Sequence, residues 1–145
     1  MANIEEHFEL IKGINEAVVS KQLFDFIRSI ESDFVDLNRK QLNENSKDIY
    51  GDAIGFYSYA SFKIYGKSGP FDLEDTGSFL NKLYAKIQSD SIVFGSTDFK
   101  TPEILDNPNL LSRDLFGLTD EDLNKVINEK VLPFMISSTR KNLGL

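Results

Sequence analysis

The chain has 145 residues and a formal charge of −7, with 16 Lys+Arg against 23 Asp+Glu. The absence of cysteine excludes disulfides and thiolate chemistry, and the acidic balance argues against nucleic-acid binding, whether non-specific or sequence-specific. No apolar run is long enough to span a membrane, so we expect no membrane partner. The length is typical of one domain, and we expect residues 1–145 to form a single domain.

Groups for catalysis or metal binding are scarce in this sequence. The single histidine, His7, cannot form a His-rich metal site, and it would have to be the base of any Ser-His-Asp triad. The glycines fit neither GxGxxG nor GxxxxGK[ST]. Paired carboxylates stay formally open, because 23 acids always allow a pair to be drawn. We therefore expect a non-enzymatic protein with no cofactor and no metal.

An apolar stripe at helical spacing runs through the first third of the chain. Its members, separated by 4, 3, 4 and 3 residues, are Leu23, Ile27, Ile30, Phe34 and Leu37. This stripe predicts a long helix over residues 16–43, with a shorter helix over 3–12 before it. We expect the stripe to pack on the chain's own sheet, and a neighbouring subunit is the alternative.

The helical period is lost after residue 43, where Asn, Ser, Asp and Gly recur, and this predicts a long loop over residues 44–70. The loop combines aromatic residues with lysines in an otherwise acidic protein. That composition suits contact with an acidic partner. The alternative is a loop folded back onto its own domain. The candidate partner-contact residues are Tyr57, Tyr59, Lys63 and Lys67.

The hairpin region covers residues 71–97. Residues 79–87 fit either a helix or a strand, but a helix would leave the β-branched and aromatic run before Gly95 without a partner strand. We therefore predict two strands, 79–87 and 91–95, and a turn at Gly77 before them. The expected class is α/β or α+β, a small and mainly antiparallel sheet with the long N-terminal helix and a C-terminal helix packed on it.

The C-terminal segment and its helix cover residues 98–145. Thr119 is a natural N-cap, and the three acids Asp120–Asp122 favour the positive end of the helix that follows. Such a cluster at a helix start predicts a cap rather than a metal site. Pro133 removes one backbone donor, so the helix is expected to bend there or to end soon after.

Three stretches, in the same order along the chain, resemble bacteriophage virion-morphogenesis proteins. Phe71–Leu80, followed by the predicted strands, resembles their L-x-x-T-G-x-L … V-G-[ST] signature. Ser112–Leu123 resembles their R-x-F-L-G-L-[ST]-x-E-D segment, and Asn38–Leu42 reads Asn-Arg-x-Gln-Leu as theirs does. The chain departs from the family between residues 98 and 111, where two prolines replace a Tyr-Ala-x-x-His-x-x-Gly stretch.

The resemblance implies a tail-completion or tail-terminator protein, a non-enzymatic part of the virion at the head-proximal end of the tail, made in the host cytoplasm. It implies a ring of copies, a hexamer, whose partners are the tail tube and the head–tail connector proteins. Arg113 and Phe116 are then further candidate interface residues. The alternatives are a head-closure, connector or other minor virion protein, or a cytosolic acidic adaptor or immunity-type binding module.

Overall fold

The computed structural model describes residues 16–145, and the helix predicted over 3–12 lies outside them. The chain's contacts divide into two compact units. One unit holds Glu31–Leu123, and the other holds Asn124–Leu145 together with residues 16–30. The elements in chain order are α1 (Glu16–Ser29), α2 (Glu31–Asn43), α3 (Tyr59–Tyr65), α4 (Ser78–Asn81), β1 (Leu83–Ile87), β2 (Ile92–Ser96), α5 (Thr101–Leu105), α6 (Asp120–Val126), a π-helical turn (Ile127–Val131) and α7 (Leu132–Asn142).

The α+β class and the antiparallel hairpin are confirmed. Strand β1 pairs with β2 from Leu83 opposite Ser96 to Ile87 opposite Ile92, and helix α2 packs on β1. The predicted start of the first strand at residue 79 is wrong, because Ser78–Asn81 is a helical turn.

The spacing of apolar residues does not reveal why Ser78–Asn81 is helical, but the burial of its side chains does. The neighbouring residues Phe79 and Leu80 are both buried, whereas successive residues of a strand point to opposite faces. Gly77 enters the turn with φ +82°, and the Thr76 hydroxyl accepts a hydrogen bond from the Ser78 N–H at 3.3 Å. The turn predicted at Gly77 is therefore present.

The predicted helix over residues 16–43 is interrupted at Ile30. The Ser29 hydroxyl donates to the Phe26 carbonyl at 2.5 Å, and the Ile30 N–H donates to the Ile27 carbonyl at 3.1 Å. Both bonds draw on carbonyls that a continuous helix would use, and such local bonds compete with the helical pattern. The prediction of one long helix is wrong at this point, although both halves are helical.

The predicted loop over residues 44–70 is wrong in part. Residues 59–65 form α3, and Ile54 is fully buried. Outside α3, the segment is held by isolated antiparallel bridges, which pair Lys47 with Ala53, Gly55 with Leu110, and Phe56 with Pro70.

Two buried side-chain amides join α2 to the segment that leads into α6. Asn38 donates to the carbonyls of Leu115 at 3.0 Å and Gly117 at 2.9 Å. Gln41 donates to the Gly117 carbonyl at 3.0 Å and accepts from the Thr119 N–H at 3.1 Å. The two amides are 1% and 2% exposed. We call this set of four hydrogen bonds the amide clamp.

The amide clamp lies beside the hydrophobic core of the Glu31–Leu123 unit. Gly117 has φ +146°, and a Cβ there would stand 3.0 Å from the Ile49 side chain, so the backbone can approach this closely because the residue is glycine. The core residues are Leu42, Ile54, Phe71, Phe79, Leu80, Leu83, Leu110 and Leu115.

The last helical segment starts at the predicted N-cap, departs from α-helical geometry just before Pro133, and then continues to Asn142. Helix α6 begins at Asp120, and the Asp122 N–H donates to the Thr119 hydroxyl at 3.2 Å, so the predicted N-cap is confirmed. Before Pro133 the chain widens into the π-helical turn, where the Leu132 N–H reaches back to the Ile127 carbonyl. This wider turn accommodates a proline, whose ring conflicts with a regular helical turn.

In the other unit, α7 packs on α1. The rings of Phe26 and Phe134 are stacked 4.1 Å apart and nearly parallel. The Gln22 amide accepts hydrogen bonds from the Ser138 hydroxyl at 2.9 Å and from the Asn142 amide at 2.8 Å. The C-terminal helix, which we expected to pack on the sheet, thus has its aromatic and amide contacts with α1.

The amide clamp predicts a large stability effect from a small change. Replacing Asn38 with Ala removes the donor to two buried carbonyls, and we expect the free energy of unfolding to fall by about 2–3 kcal/mol. The matched control is Asn45→Ala, an exposed asparagine near the end of α2 that should change stability by less than about 0.5 kcal/mol. Urea unfolding followed by circular dichroism measures both, and equal midpoints would contradict the role of the clamp.

Candidate interaction surface

Helix α3 exposes a set of large apolar side chains that no other helix of the Glu31–Leu123 unit matches. Four of its seven residues are large and apolar, and each of the four is between 52% and 75% exposed. A helix that is apolar on all sides is normally buried, and contiguous exposed apolar surface marks an interaction site. Together with the exposed Phe56 just before the helix, we call these side chains the aromatic ridge: Phe56, Tyr59, Phe62, Ile64 and Tyr65.

Local hydrogen bonds explain why this apolar segment is helical without being buried. The Ser58 hydroxyl caps the start of α3 by accepting from the Ser61 N–H at 3.2 Å. At the other end, Gly66 takes a left-handed conformation with φ +69°, and its N–H donates to the Phe62 carbonyl. The helix is therefore defined by its caps.

A small polar network attaches the base of the aromatic ridge to the core. The Tyr57 hydroxyl donates a short hydrogen bond to the Asp72 carboxylate, and the Lys67 ammonium lies 2.9 Å from the same carboxylate. The Tyr57 ring packs edge-on against buried Phe71, with 4.8 Å between ring centroids. The segments on both sides of α3 are thereby held to one carboxylate.

The network changes the acidity of its members. Burial and the bond to Asp72 raise the pKa of Tyr57 to about 12. Burial alone would raise the pKa of Asp72, but the bonds from the Tyr57 hydroxyl, the Glu74 N–H and the Lys67 ammonium outweigh it and lower that pKa. Asp72 is therefore held in its charged form at neutral pH.

The charge around the aromatic ridge differs from that of the rest of the chain. Residues 53–71 contain Lys63, Lys67 and no acidic residue, in a protein with net charge −7. Because Lys67 is paired with Asp72, the positive charge exposed on α3 is that of Lys63. Its ammonium lies 5.2 Å from the centroid of the Tyr59 ring. A surface of this kind favours an acidic partner.

The structure divides the candidate residues of segment 44–70 into two pairs. Tyr59 and Lys63 lie together on the exposed face of α3. Tyr57 and Lys67 are half-buried, and they attach the base of the ridge to Asp72. The second pair therefore positions the surface that the first pair presents.

The other two candidates, Arg113 and Phe116, belong to the segment beside the amide clamp. Arg113 is exposed, whereas Phe116 is half-buried with its ring 6.0 Å from that of Phe79. Because the segment was predicted to be a loop, four residues of the ridge were not among the predicted partner-contact candidates: Phe56, Phe62, Ile64 and Tyr65. The signal that could have identified them is a serine before, and a glycine after, a seven-residue segment with four large apolar residues.

A second surface feature of the same unit is an open depression of about 590 Å³ beside α5. Its apolar lining includes Phe99, which is 81% exposed, and its polar lining includes Asp98. The Asp98 carboxylate accepts bonds from the Ser78 hydroxyl and the Lys100 N–H, which lower its pKa. The residues of this depression are Ser96, Asp98, Phe99, Thr101, Pro102, Leu105 and Asp106.

Within residues 16–145, no cluster of three or more His, Asp or Glu side chains has a geometry suited to a metal ion. The same residues include no helix with the length and apolar character needed to cross a bilayer.

Replacing Tyr57 and Tyr59 one at a time distinguishes a residue that attaches the aromatic ridge to the core from a residue that the ridge exposes to a partner. Tyr57→Ser removes a half-buried ring and its hydrogen bond, so we expect the free energy of unfolding to fall by about 2 kcal/mol. Tyr59→Ser removes an exposed ring and should change it by less than about 0.5 kcal/mol. Thermal and urea unfolding measure both, and a Tyr57 variant as stable as wild type would show that this ring is not part of the core.

The lowered pKa of Asp72 predicts how stability depends on pH. Because the folded pKa lies below the ordinary value of 3.8, the stabilisation is present above pH 3.8 and is lost as the pH falls through the folded pKa. Tyr57→Phe removes one bond to this carboxylate. We expect the stability difference between wild type and this variant to be full at pH 7 and to shrink below pH 3.8. Tyr65→Phe, at an exposed tyrosine, is the control, and a difference independent of pH would refute the prediction.

Comparison with known proteins gives one distant similarity. Over 137 residues, the chain is 24% identical to the pesticidal crystal protein Cry21Aa of Bacillus thuringiensis. The match covers 89% of this chain and 12% of that protein, so the chain spans about one eighth of the relative's length. No family model matches the chain, and no solved structure does.

Proposed function

We propose that this chain is a non-enzymatic structural subunit of a bacteriophage virion, a tail-completion or tail-terminator protein. In this proposal, copies of the chain form a ring, a hexamer by resemblance, at the head-proximal end of the tail. The tail tube and the head–tail connector proteins are its neighbours.

The observation that carries this proposal is the aromatic ridge. A ring subunit needs surfaces that other proteins cover, and α3 presents four large apolar side chains with a lysine among them. Aromatic residues are enriched at protein–protein interfaces because they bury a large area with few rotatable bonds. The exposed aromatic side chains of the ridge are therefore typical of a protein–protein interface in its unbound state.

The packing of the phage-like stretches is consistent with the resemblance. Asn38 and Gln41 of the first stretch bind Gly117 and Thr119 of the last one. The middle stretch contributes the hairpin and core residues such as Phe79. Three separate sequence similarities therefore meet in one folded unit, which supports treating them as one pattern.

The second candidate is an adaptor or binding module that uses the same aromatic ridge for an acidic partner outside any virion. The exposed positive charge of Lys63 on an acidic protein favours this reading equally. The two candidates differ in where the protein accumulates. The similarity to the crystal protein covers too little of that protein to carry its role to this chain.

The test is the composition of virus particles purified from cells that carry the gene for the chain. We expect mass spectrometry of purified particles to find the chain at a constant copy number, and immunogold electron microscopy to label the head-proximal end of the tail. Phe62→Ser should fold normally and be depleted from particles, whereas Ile136→Ser, an exposed control outside the ridge, should be incorporated. Absence of the wild-type chain from particles would overturn the proposal and favour the adaptor.

A further inference from the structure

We infer that the aromatic ridge of one copy docks in the depression beside α5 of a second copy. This inference rests on the proposed function, since it assumes that copies of the chain assemble, and it names the two surfaces that meet. Both surfaces belong to the Glu31–Leu123 unit, and they share no residue.

The two surfaces are complementary in chemistry. The ridge is a short helix that projects aromatic side chains, and the depression is concave with an apolar lining of Phe99, Pro102 and Leu105. Aromatic rings pack on one another in edge-on or offset arrangements, so the exposed Phe99 ring is a suitable partner for the rings of α3.

The two surfaces are also complementary in charge. Residues 53–71 contain two lysines and no acidic residue, whereas residues 98–106 contain three acids and one lysine. That lysine, Lys100, lies 3.1 Å from Asp75, which offsets its charge, and the buried Asp98 carboxylate lies 3.7 Å from Lys82. The exposed acids of this segment are therefore Glu103 and Asp106. Exposed Asp106 at the depression is therefore an available partner for Lys63 of the neighbouring copy.

The exposed apolar area of the aromatic ridge is that of a small protein–protein interface. Four aromatic side chains at these exposures present on the order of 500 Å², more than half of the roughly 800 Å² that each partner buries in a standard interface. The contact alone predicts association at moderate concentration, with the remaining area supplied by flanking residues.

A contact between two different surfaces of identical copies has a definite consequence for assembly. Each copy keeps a free ridge or a free depression after pairing, so a third copy can add in the same way. Such head-to-tail contacts form a closed ring when the rotation per copy divides a full turn, and an open filament otherwise. A symmetric dimer would instead use one surface twice.

The chain has no cysteine, which makes the contact directly testable by cross-linking. Ala60→Cys places a thiol on α3 without removing an aromatic ring, and Pro102→Cys places one in the exposed lining of the depression. Equal amounts of the two variants, one carrying an affinity tag, are mixed under mild oxidation. We expect mixed disulfide dimers to form about tenfold faster than in a mixture of Ala60→Cys with Asp90→Cys at the exposed hairpin turn, since docking raises the effective thiol concentration.

Charge reversal gives a second, independent readout. Lys63→Glu and Asp106→Lys should each weaken self-association about fivefold or more in sedimentation velocity, and the two changes in one chain should restore it, because each contact then regains an opposite pair. Asp90→Lys should leave self-association unchanged. Circular dichroism and thermal melting of every variant verify that it folds.

The outcomes separate this inference from the proposed function. Self-association without preference for the Ala60–Pro102 thiol pair, or without recovery in the double charge variant, overturns the inference and leaves incorporation into particles as the test of function. A wild-type chain that stays monomeric at high concentration also overturns it. Selective cross-linking by a chain that is absent from particles supports the contact and overturns the phage assignment.

Discussion

The structure of the Glu31–Leu123 unit depends on two buried side-chain amides whose hydrogen bonds join α2 to the 115–119 segment. Asn38 and Gln41 lie one helical turn apart, so both reach the same stretch of backbone. A rotation of α2 by one residue would remove both from the 115–119 segment and leave polar groups buried without partners, which is costly. Side-chain amides of this kind therefore set the register of the helix more strictly than apolar packing does. The same bonds bring Leu115 into the core and hold the backbone from which Thr119 starts α6.

Segment 44–70 combines two roles because its residues alternate between the core and the surface. Ile54 is buried and Tyr57 is half-buried, whereas Phe56 and Tyr59 are exposed. The inward residues are fixed by core packing and by the bonds to Asp72, so the outward ones are presented on a held backbone. Presenting aromatic residues in this way lowers the entropy lost when a partner binds.

Sequence reasoning succeeded where a local signal and its structural consequence lie close together. The hairpin, the cap at Thr119 and the disturbance before Pro133 each follow from a few neighbouring residues. It failed where hydrogen bonds that the hydrophobic period does not encode decide the structure, whether those bonds are local or distant. A stripe of apolar residues continues through Ile30, yet hydrogen bonds of the preceding turn interrupt the helix there. Nothing in the spacing of Asn38 and Gln41 reveals that they are buried, because their partners lie more than 70 residues away. The aromatic residues of segment 44–70 were recognised, but the capped helix that presents them was not.

The π-helical turn before Pro133 determines how α7 is rotated about its own axis, and therefore which of its residues face α1. A π turn holds one residue more than an α turn between the same two hydrogen-bonded levels, so it acts like a single inserted residue. Removing one residue from Ile127–Val131 would return the segment to regular helical geometry and rotate α7 by about 100° about its axis. Phe134 would then leave the ring of Phe26, and Ser138 and Asn142 would leave Gln22. The spacing between Val126 and Phe134 is thus under a length constraint, even though four of the five residues of the turn are exposed. A substitution in the turn is tolerable where an insertion or a deletion is not.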